Sequence, residues 1–377
     1  MSAWPGKYVI GLTGNIATGK SVVRKMLEHL GAYGIDADAL GHRAIAPDAP
    51  GYKAVVDTFG KWILAPDGQV DRAKVARIVF GDPEALVQLE SIIHPLVRQA
   101  VDVLIKRSTQ KVIVLEAIKL LEGPLQQACD SIWVTYAPKE VQISRLVQKR
   151  DMSTAVAHQR VNSQPPQNEK VKAANTVIHN EGSFEDTWKQ VTTAWQALFP
   201  AYESGAYKPI TAPRGVLLVE KARPRHAAEI AALISRLSDG KAKPTREDIM
   251  AAFGEKAYLF LKLDGQPVGV VGWQVENLVE RTDDVYIEPS QSLPDAMQAL
   301  LKEIEATSKD LQCEVALLFL PPELSLKVEV WNALGYEIRA IDSLGVRAWQ
   351  DAAQETIGNG ESMYFKQLRK DRVLRPV

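Results

Sequence analysis

Short apolar runs alternate with longer amphipathic stretches along the first 200 residues. The runs are Val9–Leu12, Gly34–Ala37, Val112–Ala117, Ile132–Tyr136 and Thr176–Ile178. Apolar positions at Val22, Val23, Met26, Leu27 and Leu30 have helical spacing, and long helical stretches are expected over Val70–Arg107 and Lys139–Gln164. Strands that alternate with helices in this way predict βα units on a parallel sheet. The pattern lapses at 201–214, where Pro209 and Pro213 stand among small and polar residues. That stretch is expected to be a linker between a domain at 1–200 and a second at 215–377, with few contacts crossing it.

The pattern beyond residue 215 is different. An apolar run at Val216–Val219 precedes a helix expected at Pro224–Ser238. Ala257–Leu263 and Val268–Val275 flank Asp264-Gly265, a strong hairpin signal. A strand near Asp284–Ile287, a helix at Leu293–Lys309, a strand at Val315–Leu320 and a helix at Leu326–Leu334 follow. Strands at Tyr336–Ile341 and Ser362–Leu368 complete a mixed α+β unit.

The bulk properties bound the function. The 377 residues exceed one compact core. The chain is 46% hydrophobic and 24% charged, with a net charge of −1, so no global basic field points to nucleic acid. No window approaches a membrane span. Two distant cysteines, Cys129 and Cys313, suit a reducing compartment and offer no zinc framework. The N-terminus lacks the pattern of a secretory leader, and a cytoplasmic location is expected.

The chemistry begins at Gly14-Asn15-Ile16-Ala17-Thr18-Gly19-Lys20-Ser21, which reads G-x-x-x-x-G-K-S between an apolar run and a helix. That is the context of a phosphate-binding loop. Its amides would point at phosphate oxygens, and the helix N-terminus adds positive potential. Lys20 would reach the β- and γ-phosphates of a nucleotide, and the Ser21 hydroxyl would lie on Mg²⁺. Asp36-Ala37-Asp38 ends the second predicted strand, on the edge of the sheet that faces ligands. Asp38 is the candidate base for an attacking hydroxyl, although an aspartate here could equally cap a helix.

With these motifs in order, the first 200 residues resemble dephospho-CoA kinase. The resemblance also rests on Asp71-Arg72, on Ile92-Ile93-His94-Pro95, on Gln142…Arg145…Arg150 and His158-Gln159-Arg160…Gln164, and on Thr176-Val177-Ile178-His179-Asn180-Glu181-Gly182. It implies a P-loop kinase with a five-stranded parallel sheet and a helical lid. Such an enzyme transfers the ATP γ-phosphate to the ribose 3′-hydroxyl of dephospho-CoA, the last step of coenzyme A synthesis. The resemblance makes Asp38 catalytic, with Lys20, and puts Thr13, Asp36, Arg72 and His94 with the acceptor. Arg145, Arg150 and Arg160 fall in the lid over ATP. The alternative is another small-molecule or nucleotide kinase, because the loop alone identifies only the donor.

Three departures from the family stand out. Ile118-Lys119 replaces the usual Pro-Leu, bringing a positive charge near the acceptor, and Glu116 adds a carboxylate at the strand end. Asn175 stands where an aspartate is common.

The element order of 215–377 is similar to GNAT-type acetyltransferases, including Trp331-Asn332-Ala333-Leu334-Gly335-Tyr336-Glu337. That family binds CoA pyrophosphate on a glycine-rich loop. Here Glu288-Pro289-Ser290-Gln291-Ser292-Leu293-Pro294-Asp295 has no glycine, and Pro294 removes a donor. A non-catalytic unit that binds CoA or acetyl-CoA, or mediates self-association, is expected. A bifunctional kinase and N-acetyltransferase is the alternative.

Overall fold

A computed structural model describes residues 3–150, 152–200 and 215–374. The expected linker at 201–214 lies outside the described residues. Five strands form a parallel sheet in the order β2-β3-β1-β4-β5: β1 (Tyr8–Thr13), β2 (Tyr33–Asp36), β3 (Val112–Glu116), β4 (Ser131–Tyr136) and β5 (Thr176–His179). The inner strands are mostly apolar and almost wholly buried because helices cover both faces. These helices are α1 (Lys20–His29), α2 (Ala37–Ala44), α3 (Tyr52–Phe59), α4 (Arg72–Gly81), α5 (Pro83–Arg107), α6 (Lys139–Arg150), α7 (Thr154–Asn162), α8 (Gln167–Ala173) and α9 (Phe184–Leu198).

Two expected long helices are each divided. Val70–Arg107 contains α4 and α5, which meet at Asp82-Pro83; Asp82 accepts from the Glu84 and Ala85 amides and caps α5. Lys139–Gln164 contains α6 and α7, and Ser153 caps the latter.

The C-terminal half has a seven-stranded sheet. Its elements are β6 (Leu217–Lys221), α10 (Ala227–Leu237), α11 (Arg246–Ala252), β7 (Ala257–Leu263), β8 (Gln266–Glu276), β9 (Val279–Ile287), α12 (Leu293–Asp310), β10 (Val315–Leu320), α13 (Pro322–Ser325), α14 (Val328–Ala333), β11 (Glu337–Ile338), α15 (Arg347–Thr356) and β12 (Ser362–Gln367). The strand order is β11-β12-β10-β9-β8-β7-β6. Only β9 and β10 pair in parallel; the other neighbours are antiparallel. The Asp264-Gly265 turn has φ values of 51° and 83°, as a two-residue hairpin requires. Strand β9 begins five residues before its expected start, because a second hairpin turn occurs at Asn277-Leu278.

The two halves share a substantial seam, contrary to the expectation of few contacts. Leu278 packs in the core beneath the first sheet, with Tyr33, Ile35, Leu40 and Leu104. Lys25 Nζ donates to the Val275 carbonyl at 2.6 Å, and Tyr33 OH to the Leu311 carbonyl at 3.2 Å. The His29 ring packs edge-on against Phe253. No described helix is long and apolar enough to cross a membrane.

Candidate active site

Strand β1 delivers the chain into the loop, and α1 starts at Lys20. Two glycines are sterically required. A Cβ at Gly14 would lie 2.3 Å from Thr135 Oγ1, and one at Gly19 would lie 1.8 Å from Asn180 Nδ2. Gly19 also has φ +91°, where a side chain is strained. Thr18 Oγ1 donates to the Asn15 carbonyl at 2.8 Å and meets Thr135 Oγ1 at 2.7 Å. These contacts hold the bend of the loop. Lys20 is buried, and its Nζ lies 3.2 Å from the Asn15 carbonyl, across the loop mouth.

The helical flap closes on this loop. Ile16 and Ala17 pack against Leu146, Ala157 and Val161 of α6 and α7. Gln164 Oε1 accepts from the Ile16 amide at 2.7 Å, and the Pro165 carbonyl accepts from Asn15 Nδ2 at 2.9 Å. Arg145 donates to the Ala17 carbonyl at 3.2 Å and to the Asn180 carbonyl at 2.8 Å. Its guanidinium is thus already at the loop. Arg160 is exposed at the end of α7. Arg150 ends α6, and its side chain lies outside the described residues.

Carboxylates gather beside the loop. Asp36 caps α2 by accepting from the Ala39 amide at 2.9 Å. Its neighbour Asp38 is in the first turn of α2, and its Oδ2 accepts from the Ile118 amide at 3.0 Å. Glu116, at the end of β3, accepts from Ser21 Oγ at 3.0 Å and from Arg24 Nε at 2.7 Å. Burial raises the Asp38 pKa above the usual carboxylate range, and the Glu116 charge adds to this; the Ile118 amide, Lys20 and Lys170 oppose it. Burial and Glu116 push Asp36 up to about 6. The Ile118 carbonyl accepts from Thr13 Oγ1 at 3.0 Å and from Lys170 Nζ at 2.8 Å. Thr13 is fully buried, so its hydroxyl serves this junction.

His42 is one turn beyond Asp38 on the same face of α2. It opens onto a cleft shared with Arg43, Arg72, Arg281, Ala348 and Asp351, so both halves line it. Arg72 starts α4 and is exposed there. Desolvation, and then the Arg72 guanidinium, lower the His42 pKa. His94 is exposed on α5 and does not line this cleft. Lys119 projects away to pair with Glu90 at 3.0 Å. Asn175 accepts from the Ile132 amide at 2.7 Å, a purely structural bond.

The structure brings together the loop, Ser21, Asp36, Asp38 and Arg145 of the residues expected from sequence. Sequence reasoning missed four others. Glu116 was noticed only as an extra carboxylate, although its place at the end of the strand beside β1 was legible. His42 follows Asp38 by four residues. Gln164 and Asn180 act on the loop from more than 140 residues away, and only the fold brings them there.

Residues 8–186 match the family model described as dephospho-CoA kinase. The dephospho-CoA kinase of Carboxydothermus hydrogenoformans is 45% identical over 191 residues, 50% of this chain and 93% of that protein. A solved dephospho-CoA kinase from Campylobacter jejuni is 27% identical with a TM-score of 0.39, covering 52% of this chain and 98% of that one. The chain is also similar to a GNAT-family acetyltransferase from Streptococcus pneumoniae, at 16% identity and a TM-score of 0.32 over 40% of this chain and 99% of that one. With a phosphate loop, a gathered carboxylate set and a relative spanned almost end to end, the chain belongs to the dephospho-CoA kinase family.

Proposed function

We propose that ATP binds on Gly14–Ser21 and that Asp38 serves as the base for transfer to dephospho-CoA. The observation that carries this reading is the Asp38 carboxylate itself. It is held by the Ile118 amide at the end of the sheet and lies in the fields of Lys20 and Lys170. As the ribose 3′-oxygen bonds to the γ-phosphorus, its proton passes to Asp38. The bond from the γ-phosphorus to the β,γ-bridging oxygen breaks, and ADP leaves. Lys20 and the loop amides stabilise charge on the transferring phosphoryl group. Arg145 needs only a small movement to leave the Ala17 carbonyl for a phosphate oxygen. The flap then excludes water.

The donor set suits Mg²⁺. Ser21 Oγ and Glu116 Oε1, 3.0 Å apart, are hard oxygen donors beside the loop. They would hold the ion together with ATP phosphates, as Mg²⁺ usually takes one or two carboxylates, phosphates and water. It supplies charge neutralisation at the phosphates.

The acceptor enters along the α2 face that carries Asp38 and His42, where Arg72 and His42 can meet its pyrophosphate. His94, on α5, remains a candidate for a more distant part of the acceptor. Two domains, 1–200 and 215–377, are the natural division, the second with a GNAT-like strand order and no acetyl transfer. The kinase reading is tested by ADP release with dephospho-CoA against a panel of nucleoside monophosphates. Dephospho-CoA is expected to be the preferred acceptor by orders of magnitude. Equal turnover of any monophosphate would overturn the assignment of the acceptor.

A further inference from the structure

We infer that the C-terminal half is a positioning element of the kinase, acting through Arg43 on the helix that carries Asp38. The inference rests on the reading of Asp38 as the base. Helix α2 is short, so Asp38 and Arg43 are about 7.5 Å apart along one rigid rod at 1.5 Å per residue. A change in the direction of the rod at one end moves the other.

The far end is gripped from the C-terminal half. Arg43 Nη2 meets Glu314 Oε1 at 2.6 Å, and Nη1 donates to the Asn277 carbonyl at 2.5 Å. The Arg43 side chain is 10% exposed and that of Glu314 1%. A planar guanidinium can satisfy both acceptors at once; an ammonium cannot hold the same two angles. Glu314 is itself held on three sides. Its other oxygen accepts from Trp349 Nε1 at 3.2 Å, its amide donates to the Leu278 carbonyl at 2.8 Å, and its carbonyl accepts from the Leu368 amide at 2.9 Å.

The second acceptor belongs to a strained turn. Asn277 and Leu278 have φ values of 52° and 63°. A leucine keeps that conformation only where its surroundings hold it. Here the Leu278 side chain is buried in the core beneath β2 and α2. The same hairpin receives Lys25 Nζ through Val275. Helices α1 and α2 therefore carry Lys20 and Asp38 at their beginnings and touch one hairpin further along.

The relative from Carboxydothermus is spanned almost completely by 191 residues of this chain, so it has no counterpart of this half. The grip on Arg43 is a feature of this chain added to a machine that elsewhere works without it.

The test is steady-state kinetics of Arg43→Ala, Arg43→Lys, Glu314→Gln and Asp38→Asn in the full chain, with folding followed by circular dichroism. Misplacement by about 1 Å can cost about a hundredfold, so Arg43→Ala is expected to lose about ten- to a hundredfold in kcat. The KM for ATP should stay within about twofold, because the loop is untouched. Arg43→Lys and Glu314→Gln should fall between the two. Arg43 also lines the cleft, so millimolar guanidinium should enter the hole in Arg43→Ala and restore part of kcat. A packing defect would not be restored in this way. If Arg43→Ala fails to fold, Arg43→Lys and Glu314→Gln carry the test. Wild-type kcat in both of those would overturn the inference. An Asp38→Asn variant with full turnover would instead overturn the reading of Asp38 beneath it.

Discussion

Two of the loops that lead from a strand to a helix, those after β1 and after β9, differ in backbone turn and in local charge. After β1, the chain turns through Gly14, Ala17 and Gly19, two of which have φ between 58° and 91°. After β9, the chain reaches α12 through Glu288–Ser292 with no residue at positive φ. Glu288 is paired there with Arg236 at 2.5 Å, and Ser290 Oγ donates to Glu288 at 3.3 Å. A carboxylate, Asp295, stands in the first turn of the helix, and Pro294 removes an amide from it. The strand–loop–helix arrangement supplies a dipole in both places, but the backbone turn and the sign of the local charge decide whether an anion is welcome.

The comparison is broken most severely by Lys20→Ala. Loss of this cation across the loop mouth should reduce turnover by about a hundred- to a thousandfold, the scale seen when a charge-stabilising group is removed. Coupled ADP release measures it, and retained activity would place the phosphates elsewhere. Gly19→Ala should come next. The new methyl group would meet Asn180 at 1.8 Å, and the residue would keep φ +91°, so ATP affinity should fall at least tenfold by calorimetry. In the other loop, titration of the full Lys20→Ala chain with acetyl-CoA should give no heat assignable to the start of α12. A CoA-release assay with amine acceptors should stay at background. Turnover there would make the chain bifunctional.

Carboxylates sharpen the same contrast. Asp38 must lose its proton to act, and its pKa is raised, so kcat/KM should decline on the acid side at a higher pH than for an ordinary carboxylate. The Ile118 amide favours the charged form. Ile118→Pro removes that donor, so the acid limb should move to still higher pH. In the C-terminal half, burial pushes Glu280 up to about 8. The folded state therefore holds a proton that the unfolded chain releases above pH 4.5, and stability falls as pH rises from there to about 8. Glu280→Gln should gain Tm over the parent progressively across that range. A constant offset would show that Glu280 does not titrate on unfolding.

Local signals and distant contacts were not equally legible. The strand–turn–helix around Gly14–Ser21 could be read from sequence, because eight consecutive residues and their flanks carry it. The strands of the first sheet were found within a residue or two, because burial on both faces leaves unbroken apolar runs. Asp38 was legible from its place at a strand end. The place of Glu116 was legible too, but its partners were not, because Ser21 and Arg24 lie on a neighbouring element. The Asn277-Leu278 turn gave no glycine signal; tertiary packing holds Leu278 in a conformation that local propensity disfavours. The seam was likewise invisible, since Arg43 and Glu314 are 271 residues apart. Proline and small residues at 201–214 correctly marked a change in pattern and wrongly suggested independence of the halves.

The most direct test of the account is single-turnover phosphoryl transfer from ATP to dephospho-CoA by Asp38→Asn, with ATP affinity measured on the same preparation. The amide keeps the shape and an acceptor for the Ile118 amide but is a poor proton acceptor. Transfer should fall by about a hundredfold or more, while ATP affinity stays within about twofold. Transfer at the parent rate, or loss of ATP affinity with transfer intact, would contradict Asp38 as the base.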